Sequence, residues 1–471
     1  MMSIKKSGGR KENSFIPASA GSFLLDKSVL ILFLFICSIG LLYAKQPASY
    51  VVDQVITRLF RNIILVLSLI VPVWAGMGLN FSIVVGAMSA QAGLIIALNY
   101  EVMGIAGIVV AFLASVPIAV LLGILTGKLF NRTKGQEMIT GMILGYFANG
   151  VYQLIFMYLC GTIIPMKNQA IMLNNGLGIN GTVTLDQSLS GVVDKLIKLP
   201  LDKTLCLCFG ICAAYFLIRL TVVHLKHKKS FSLKNILLPV MCIAAIALVK
   251  VLVKSSRTLS MTCMFTQVPV ATAVIAVMVC LFISFLSNTK LGSDIKTVGR
   301  SISIARTAGI NVDKIRIISI VISTVIAALG QIVYLQSLGT LTTYSAADQI
   351  GTFSVAALLV GGASIREANI GQAILGTVLF HLMFTIAPIA GLLQRRRAGD
   401  TGRLTEHAAG AAQQPLRRQD LLVGDADRKA LGLPNGRQCL VGVAGYTHGD
   451  GVGNGVLLHG LPGLVLLDGA V

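Results

Sequence analysis

Apolar residues in this chain come in long uninterrupted runs, and polar residues are confined to the stretches between them. Ser28–Ala44, Val102–Gly127, Gln267–Ser287 and Arg316–Leu338 are examples. Each approaches or exceeds the roughly 20 residues that a helix needs to cross a hydrocarbon core about 30 Å thick. The pattern predicts spans at about 28–44, 59–77, 80–97, 103–127, 139–160, 204–222, 235–253, 268–287, 316–338, 350–366 and 370–390. The expected fold is an all-α polytopic membrane protein that crosses the bilayer about ten times. It divides into an N-terminal tail (1–27), a transmembrane domain (28–390) and a C-terminal stretch (391–471) of different character. The first run has no convincing small-residue cleavage site after it, so an uncleaved first helix is expected rather than a signal peptide.

Composition agrees with this reading. Charged residues make up 12% of the chain and mean hydropathy is +0.81, whereas a soluble chain carries about 25% charged residues. The net charge of +20 has a membrane explanation, because loops on the cytoplasmic side keep an excess of Lys and Arg. With the N-terminus inside the cell, that terminus and the loops 128–138, 223–234 and 288–315 hold 17 Lys and Arg, against eight in the external segments. A plasma-membrane protein with a cytoplasmic N-terminus is expected, and nucleic acid is not an expected partner. The longest external loop, about 161–203, reads as a solvated connector or a docking surface. Nine cysteines show no paired CxxC spacing, so neither a metal site nor a disulfide framework is expected.

Polar side chains inside hydrocarbon are costly and usually face the bundle interior or a water-filled cavity. Asn80 and Gln91, then Asn149 and Gln153 four residues apart on one helix face, then Gln331 and Gln336, fall within predicted spans. Asn80, Gln91, Asn149, Gln153 and Gln331 are the candidate solute pathway, although amides can equally hold helices together. No charged residue is expected at mid-bilayer. Arg61, Arg219 and Lys250 are placed near span ends, where long side chains reach the interface. His381 reads as a packing histidine, and Gly141 with Gly145 as a close-packing pair. A pathway of neutral amides suits a neutral hydroxylated solute. No phosphate-binding loop is present, since Gly127-Lys128 is followed by Leu129, and no catalytic constellation is visible. The chain is expected to be a transporter subunit rather than an enzyme. Phe81–Ser89 and Phe353–Gly362 are alike in their Gly, Ala and Ser content and run in opposite directions in this topology, which suggests two inverted halves with broken helices at the core.

One hydrophilic stretch is more specific. Thr297–Lys314 reads TVGRSISIARTAGINVDK: a short amphiphilic helix ending at Gly309, then Asn311 and a new span from Arg316. It resembles the coupling loop of ABC-importer permeases in the ribose/simple-sugar, nucleoside and branched-chain amino acid group, where the pattern is approximately VGxNxxAAxxAGIxVxxxK. Val298, Gly299, Ala305, Ala308, Gly309, Ile310 and Val312 match; Ser301 stands where Asn is usual and Ile304 where the first Ala is usual. Gly76–Ser82 is similar to the family's Gly-rich lead-in to a broken helix. Val360–Ser364 with Gly371 and Gly376 is similar to its late Gly-Gly segment, with Ile365–Ala368 in place of the usual Gly-rich turn. The likeness covers about 60–390.

The resemblance implies that Gly299, Ala305, Arg306, Ala308, Gly309 and Ile310 form the surface that receives ATPase motion. It also implies a cytosolic ATP-binding-cassette ATPase, a second permease subunit (a copy or a paralogue) and an external solute-binding protein. ATP would be used by the partner, and no cofactor would be bound by this chain. Simple sugars or nucleosides are the first expected solutes and branched-chain amino acids the second. The alternative is a self-sufficient secondary carrier or channel for a small neutral solute, with an intramembrane enzyme a distant third.

Beyond Gly391 the composition changes. Residues 395–471 contain no Ile, Phe, Ser or Met, and Arg outnumbers Lys eight to one. A shifted reading frame or wrong join near 391–395 is the leading expectation, an appended tail without a packed core the other.

Overall fold

A computed structural model describes residues 28–44, 47–173, 176–185, 189–210, 213–214, 233–365 and 367–387, with 441–443 and 464–466. The chain forms two units, Met1–Leu393 and Gln394–Val471. In the second, Val441–Val443 and Leu464–Leu466 pair as antiparallel strands. The expected junction at 391–395, the first 27 residues, the end of span 204–222 with Arg219, and most of loop 223–234 lie outside the described residues.

The first unit is helical. It runs α1 (Ser28–Ala44), α2 (Ala48–Ser68), α3 (Ile70–Trp74), α4 (Ile83–Asn99), α5 (Gly104–Arg132) and α6 (Glu137–Leu154), the last extended by a π turn, Ile155–Leu159. A short α7 (Val192–Leu196) precedes α8 (Leu233–Ser255), α9 (Arg257–Phe265) and α10 (Val270–Asn288). Then come α11 (Lys290–Arg300), α12 (Ile302–Thr307), α13 (Val312–Leu338), α14 (Ala346–Val360) and α15 (Ile370–Ala387). Six stretches are long and apolar enough to cross a bilayer: Ser49–Trp74, Gly104–Arg132, Glu137–Leu159, Val270–Asn288, Val312–Leu338 and Ile370–Ala387. Shorter apolar helices occupy Ser28–Leu42, Ile83–Asn99 and Ala346–Val360. The chain is a multi-pass, all-α membrane protein.

Three helices begin earlier than the apolar runs suggest. α2 starts at Ala48 rather than 59, behind Pro47 in an extended conformation. Arg58 and Arg61 interrupt the hydropathy there without interrupting the helix. α13 starts at Val312 rather than 316, and α14 at Ala346 rather than 350.

α13 is the central post. Its 27 residues span about 40 Å, and 61% of its apolar window is buried, against 17% for Glu137–Leu159. Small residues let its neighbours approach closely. A Cβ at Gly86 of α4 would lie 2.7 Å from the Thr324 carbonyl oxygen, and one at Gly127 of α5 would lie 2.9 Å from the Ile317 Cα. Hydroxyls add ties between helices: Ser323 Oγ donates to the Ser68 carbonyl oxygen (2.8 Å) and Thr324 Oγ1 to that of Ala119 (3.1 Å). Gly141 and Gly145 of α6 face Phe130 and the 81–84 segment, in keeping with a packing role.

α4 and α13 end on the same loop. Asn168 Nδ2 donates to the Leu98 carbonyl oxygen (3.1 Å), and the Gly191 amide donates to that of Gln336 (2.7 Å). Strands β1 (Thr182–Thr184) and β4 (Thr340–Thr342) pair antiparallel, as do β2 (Lys198–Pro200) and β3 (Gln267–Pro269). Ile179, Leu185 and Leu189 are fully buried. The reading of 161–203 as a solvated connector is therefore corrected: the described part of this loop is a folded cap, closed by long-range pairing that no local signal announces.

Candidate coupling face and solute pathway

At the opposite end from the cap, the chain turns sharply between α10 and α13. Three side chains make the turns possible by taking up orphan amides at helix starts. Thr289 Oγ1 accepts from the Gly292 amide (3.2 Å), Ser301 Oγ from that of Ile304 (3.4 Å), and Asn311 Oδ1 from that of Lys314 (3.1 Å). The expected single helix ending at Gly309 is thus two, because Ser301 is extended (φ −159°) and caps the second. Gly309 does end that second helix, at φ +77°, a conformation that L side chains adopt only under strain.

The six candidate coupling residues divide into two groups. Gly299 lies against the α3–α4 break, where any Cβ would run into the Trp74 carbonyl oxygen; a Cβ on Gly76 would lie 2.8 Å from the Gly299 Cα. Ala305 is fully buried in a cluster with Val71, Phe130, Ile295 and Val312. These two hold the loop to the bundle. Arg306, Ala308 and Gly309 are exposed and Ile310 is half-buried. Ile304 presents an apolar side chain that is 62% exposed, at the position where the resemblance expects Ala.

Beside this loop, Arg316 forms an almost fully buried ion pair with Glu137, and its guanidinium also donates to the Phe130 carbonyl oxygen (3.4 Å). Lys134 pairs with Asp313 at 2.7 Å, and Asn131 Nδ2 donates to the Asp313 carbonyl oxygen (2.9 Å). The turn between α5 and α6 is thereby tied to the start of α13. A cleft of about 920 Å³ opens here, lined by Trp74, Gly76, Lys296, Arg300, Glu367 and Asn369 among others. Trp74 Nε1 donates to the Ala368 carbonyl oxygen (2.8 Å), and Lys296 Nζ sits 4.8 Å from the Trp74 ring centroid.

The pathway candidates are not one cluster. Asn80 is buried at the break, where Oδ1 accepts from the amide (3.0 Å) and hydroxyl of Ser82 and so starts α4. Gln91 and Gln331 are fully buried in α4 and α13, and neither amide oxygen nor nitrogen has a partner among the described residues. Asn149 and Gln153 do act together: Gln153 Nε2 donates to Asn149 Oδ1 (3.4 Å), and Asn149 Nδ2 donates to Asp348 Oδ2 (2.5 Å).

Asp348 is a charged group that the apolar pattern does not single out. It lies in the first turn of α14, yet its partner Asn149 is one residue past the midpoint of the Glu137–Leu159 span. Its signal in the sequence was an acidic residue three positions after Ser345, a pattern typical of a helix start. Arg61, read from the sequence as close to a span end, sits mid-way along the helical stretch Ser49–Trp74. Its guanidinium carbon is 5.4 Å from the Tyr334 ring centroid. Asp194, from the cap, accepts from Gln336 Nε2 (3.0 Å) and from the Thr272 hydroxyl. His381 is buried, edge-on to Phe380 at 5.5 Å.

Residues 51–394 match the family model of the permease component of branched-chain amino acid transport systems. The chain belongs to that family. It is also similar to the probable ABC transporter permease protein YphD of Escherichia coli (strain K12), with 30% identity over 122 residues. That match covers 26% of this chain and 36% of the relative, so the chain spans about a third of its length. No solved structure matches. The family match includes α2 to α15, and hence both the coupling face and the Asn149–Asp348 pair, whereas α1 lies before it.

Proposed function

We propose that this chain is the membrane-spanning permease subunit of an ATP-binding-cassette importer in the plasma membrane, with its coupling loop in the cytoplasm. It moves a small polar solute by alternating access, a simple sugar or nucleoside ahead of a branched-chain amino acid. The observation that carries this reading is the division of labour in the 297–314 loop. Exposed Ile304, Arg306, Ala308 and Gly309 offer a contact surface, while buried Ala305 holds α12 to the bundle and Gly299, at the end of α11, lies against the α3–α4 break. A push on α12 is therefore passed back across Ser301 to α11, whose Gly299 meets Gly76 at the α3–α4 break. It also reaches α6 through Val312, Arg316 and Glu137, along contacts that are contiguous in the sense coupling requires.

The partners are a cytosolic ATPase that uses the ATP, a second permease subunit (a copy or a paralogue), and an external solute-binding protein for which the folded cap at 161–203 is the docking surface. This chain binds no cofactor of its own.

The test is a detergent pull-down of the tagged full chain from its native membrane, with bound proteins identified by mass spectrometry. Wild-type chain is expected to bring down an ATPase. Gly309→Trp, which adds bulk and strain at an exposed φ +77° position, is expected to lose it while keeping its place in the membrane. A preparation free of ATPase that still carries solute into liposomes would replace this reading with a self-sufficient carrier.

A further inference from the structure

We propose that Asp348, together with Asn149 and Gln153, forms the solute-recognition site inside the membrane, and that this site takes a neutral polyhydroxylated solute, a sugar or nucleoside, rather than an amino acid. The inference rests on the permease reading above and names the substrate class.

The first argument is cost. A carboxylate within a membrane span is expensive and marks a pathway or a functional partner. Asp348 has no Lys or Arg ion-pair partner among the described residues, so charge pairing does not explain it. Its side chain holds one hydrogen bond, from Asn149 Nδ2 at 2.5 Å. An ionised carboxylate has about four acceptor sites on two oxygens, and Oδ1 is not hydrogen-bonded among the described residues.

The second argument is polarity of direction. Gln153 Nε2 donates to Asn149 Oδ1, and Asn149 Nδ2 donates to Asp348. Both donations run toward the carboxylate. What is left over is two acceptors, Asp348 Oδ1 and Gln153 Oε1, and the second N–H of each amide. A ligand completing this set must both donate and accept, and hydroxyl groups do both without charge. An amino acid could offer its ammonium, but its own carboxylate would then lie near Asp348, which has no Lys or Arg ion-pair partner among the described residues, and like charges repel.

The third argument is placement. Tyr152 and Phe156, with ring centroids 4.4 Å apart, pack with Ala347, Met88 and Ala148. This cluster packs α6 against the start of α14 beside the polar trio, the mix of apolar surroundings with a few polar groups that solute sites share. Asn149, Gln153 and Asp348 are only partly buried, whereas Gln91 and Gln331 are sealed.

The experiment uses a strain deleted for the gene and complemented with the full chain, reading uptake of labelled D-ribose, uridine and leucine. Wild type is expected to restore ribose or uridine uptake. Asp348→Ala is expected to lower it by about 10- to 100-fold at low solute, as befits loss of hydrogen bonds to a charged group, mainly through KM. Asp348→Asn, which keeps an acceptor oxygen, is expected to retain most uptake. Both variants should reach the membrane and capture the ATPase as wild type does. Unchanged ribose or uridine uptake in Asp348→Ala would overturn the site while leaving the permease reading in place. Restoration of leucine alone, abolished by Asp348→Asn, would overturn the hydroxylated class in favour of an ammonium-bearing solute. If none of the three uptakes depends on the gene, the proposed class is wrong, and ATPase capture decides separately whether the chain is a permease subunit.

Discussion

Two pairs of amides sit in this membrane domain under opposite conditions. Gln91 and Gln331 lie on α4 and α13, among the most tightly packed helices, with no partner for either amide among the described residues. Asn149 and Gln153 lie on α6, most of whose surface faces outward, and are chained to a carboxylate. A buried amide without a partner costs about 1–3 kcal/mol, whereas a chained one recovers most of that cost and fixes the direction of its neighbours. The same residue types in similar apolar runs therefore do different work, and the packing around the helix decides which. An amide in a span is a stronger pathway candidate when its helix is peripheral in the single chain and its network is open at one end.

The largest effect should come from cutting the link between the two regions. Glu137→Ala leaves Arg316 charged and buried without its partner, and removal of one member of such a pair costs about 3–5 kcal/mol. A strongly lowered melting temperature in detergent is expected, largely restored by adding Arg316→Met. If the single variant melts like wild type, α6 and α13 are not joined in the way described.

A smaller effect, of opposite sign, sharpens the contrast. Gln331→Leu removes two unpaired polar atoms at nearly constant volume, so stability should hold or rise by about 1 kcal/mol, with uptake unchanged. Loss of uptake with normal stability would return Gln331 to the solute pathway. The smallest effect belongs to Lys134→Ala at the surface end of the α6–α13 link. Its pair with Asp313 is 34% and 58% exposed and is worth about 0.2–1 kcal/mol at most. A melting shift as large as that of Glu137→Ala would mean the turn at 133–136, not the buried pair, carries the link.

Most of the helices were legible in the sequence because runs of apolar residues long enough to cross a bilayer have few other uses. The stop and restart around Gly309 and Asn311 were legible for a local reason, since a left-handed glycine and a side-chain cap act within one turn. What could not be read depended on distance. Asp348 falls outside the apolar run 350–366 that marks α14, and only the contact with Asn149, 199 residues away, gives it meaning. Arg61 stands near a span end in the sequence because the apolar run opens at about 59, two residues before it, while the helix starts at Ala48. The division of the coupling residues into buried and exposed groups followed from how α12 lies on Phe130 and Val71, which no spacing within 297–314 encodes.

The pairing of β1 with β4 has a consequence for the order in which the protein is made. Asp194 precedes its partner Gln336 by 142 residues, and β1 lies further back still. Synthesis at about 5–20 residues per second therefore delivers the first half of the cap many seconds before the second half exists. Until α13 has been threaded through the bilayer, Ile179, Leu185 and Leu189 have only their earlier partners on α4 and α5 and lack Ile332, Leu335 and Leu341. A ribosome stalled anywhere in that interval leaves this end of the bundle half-closed.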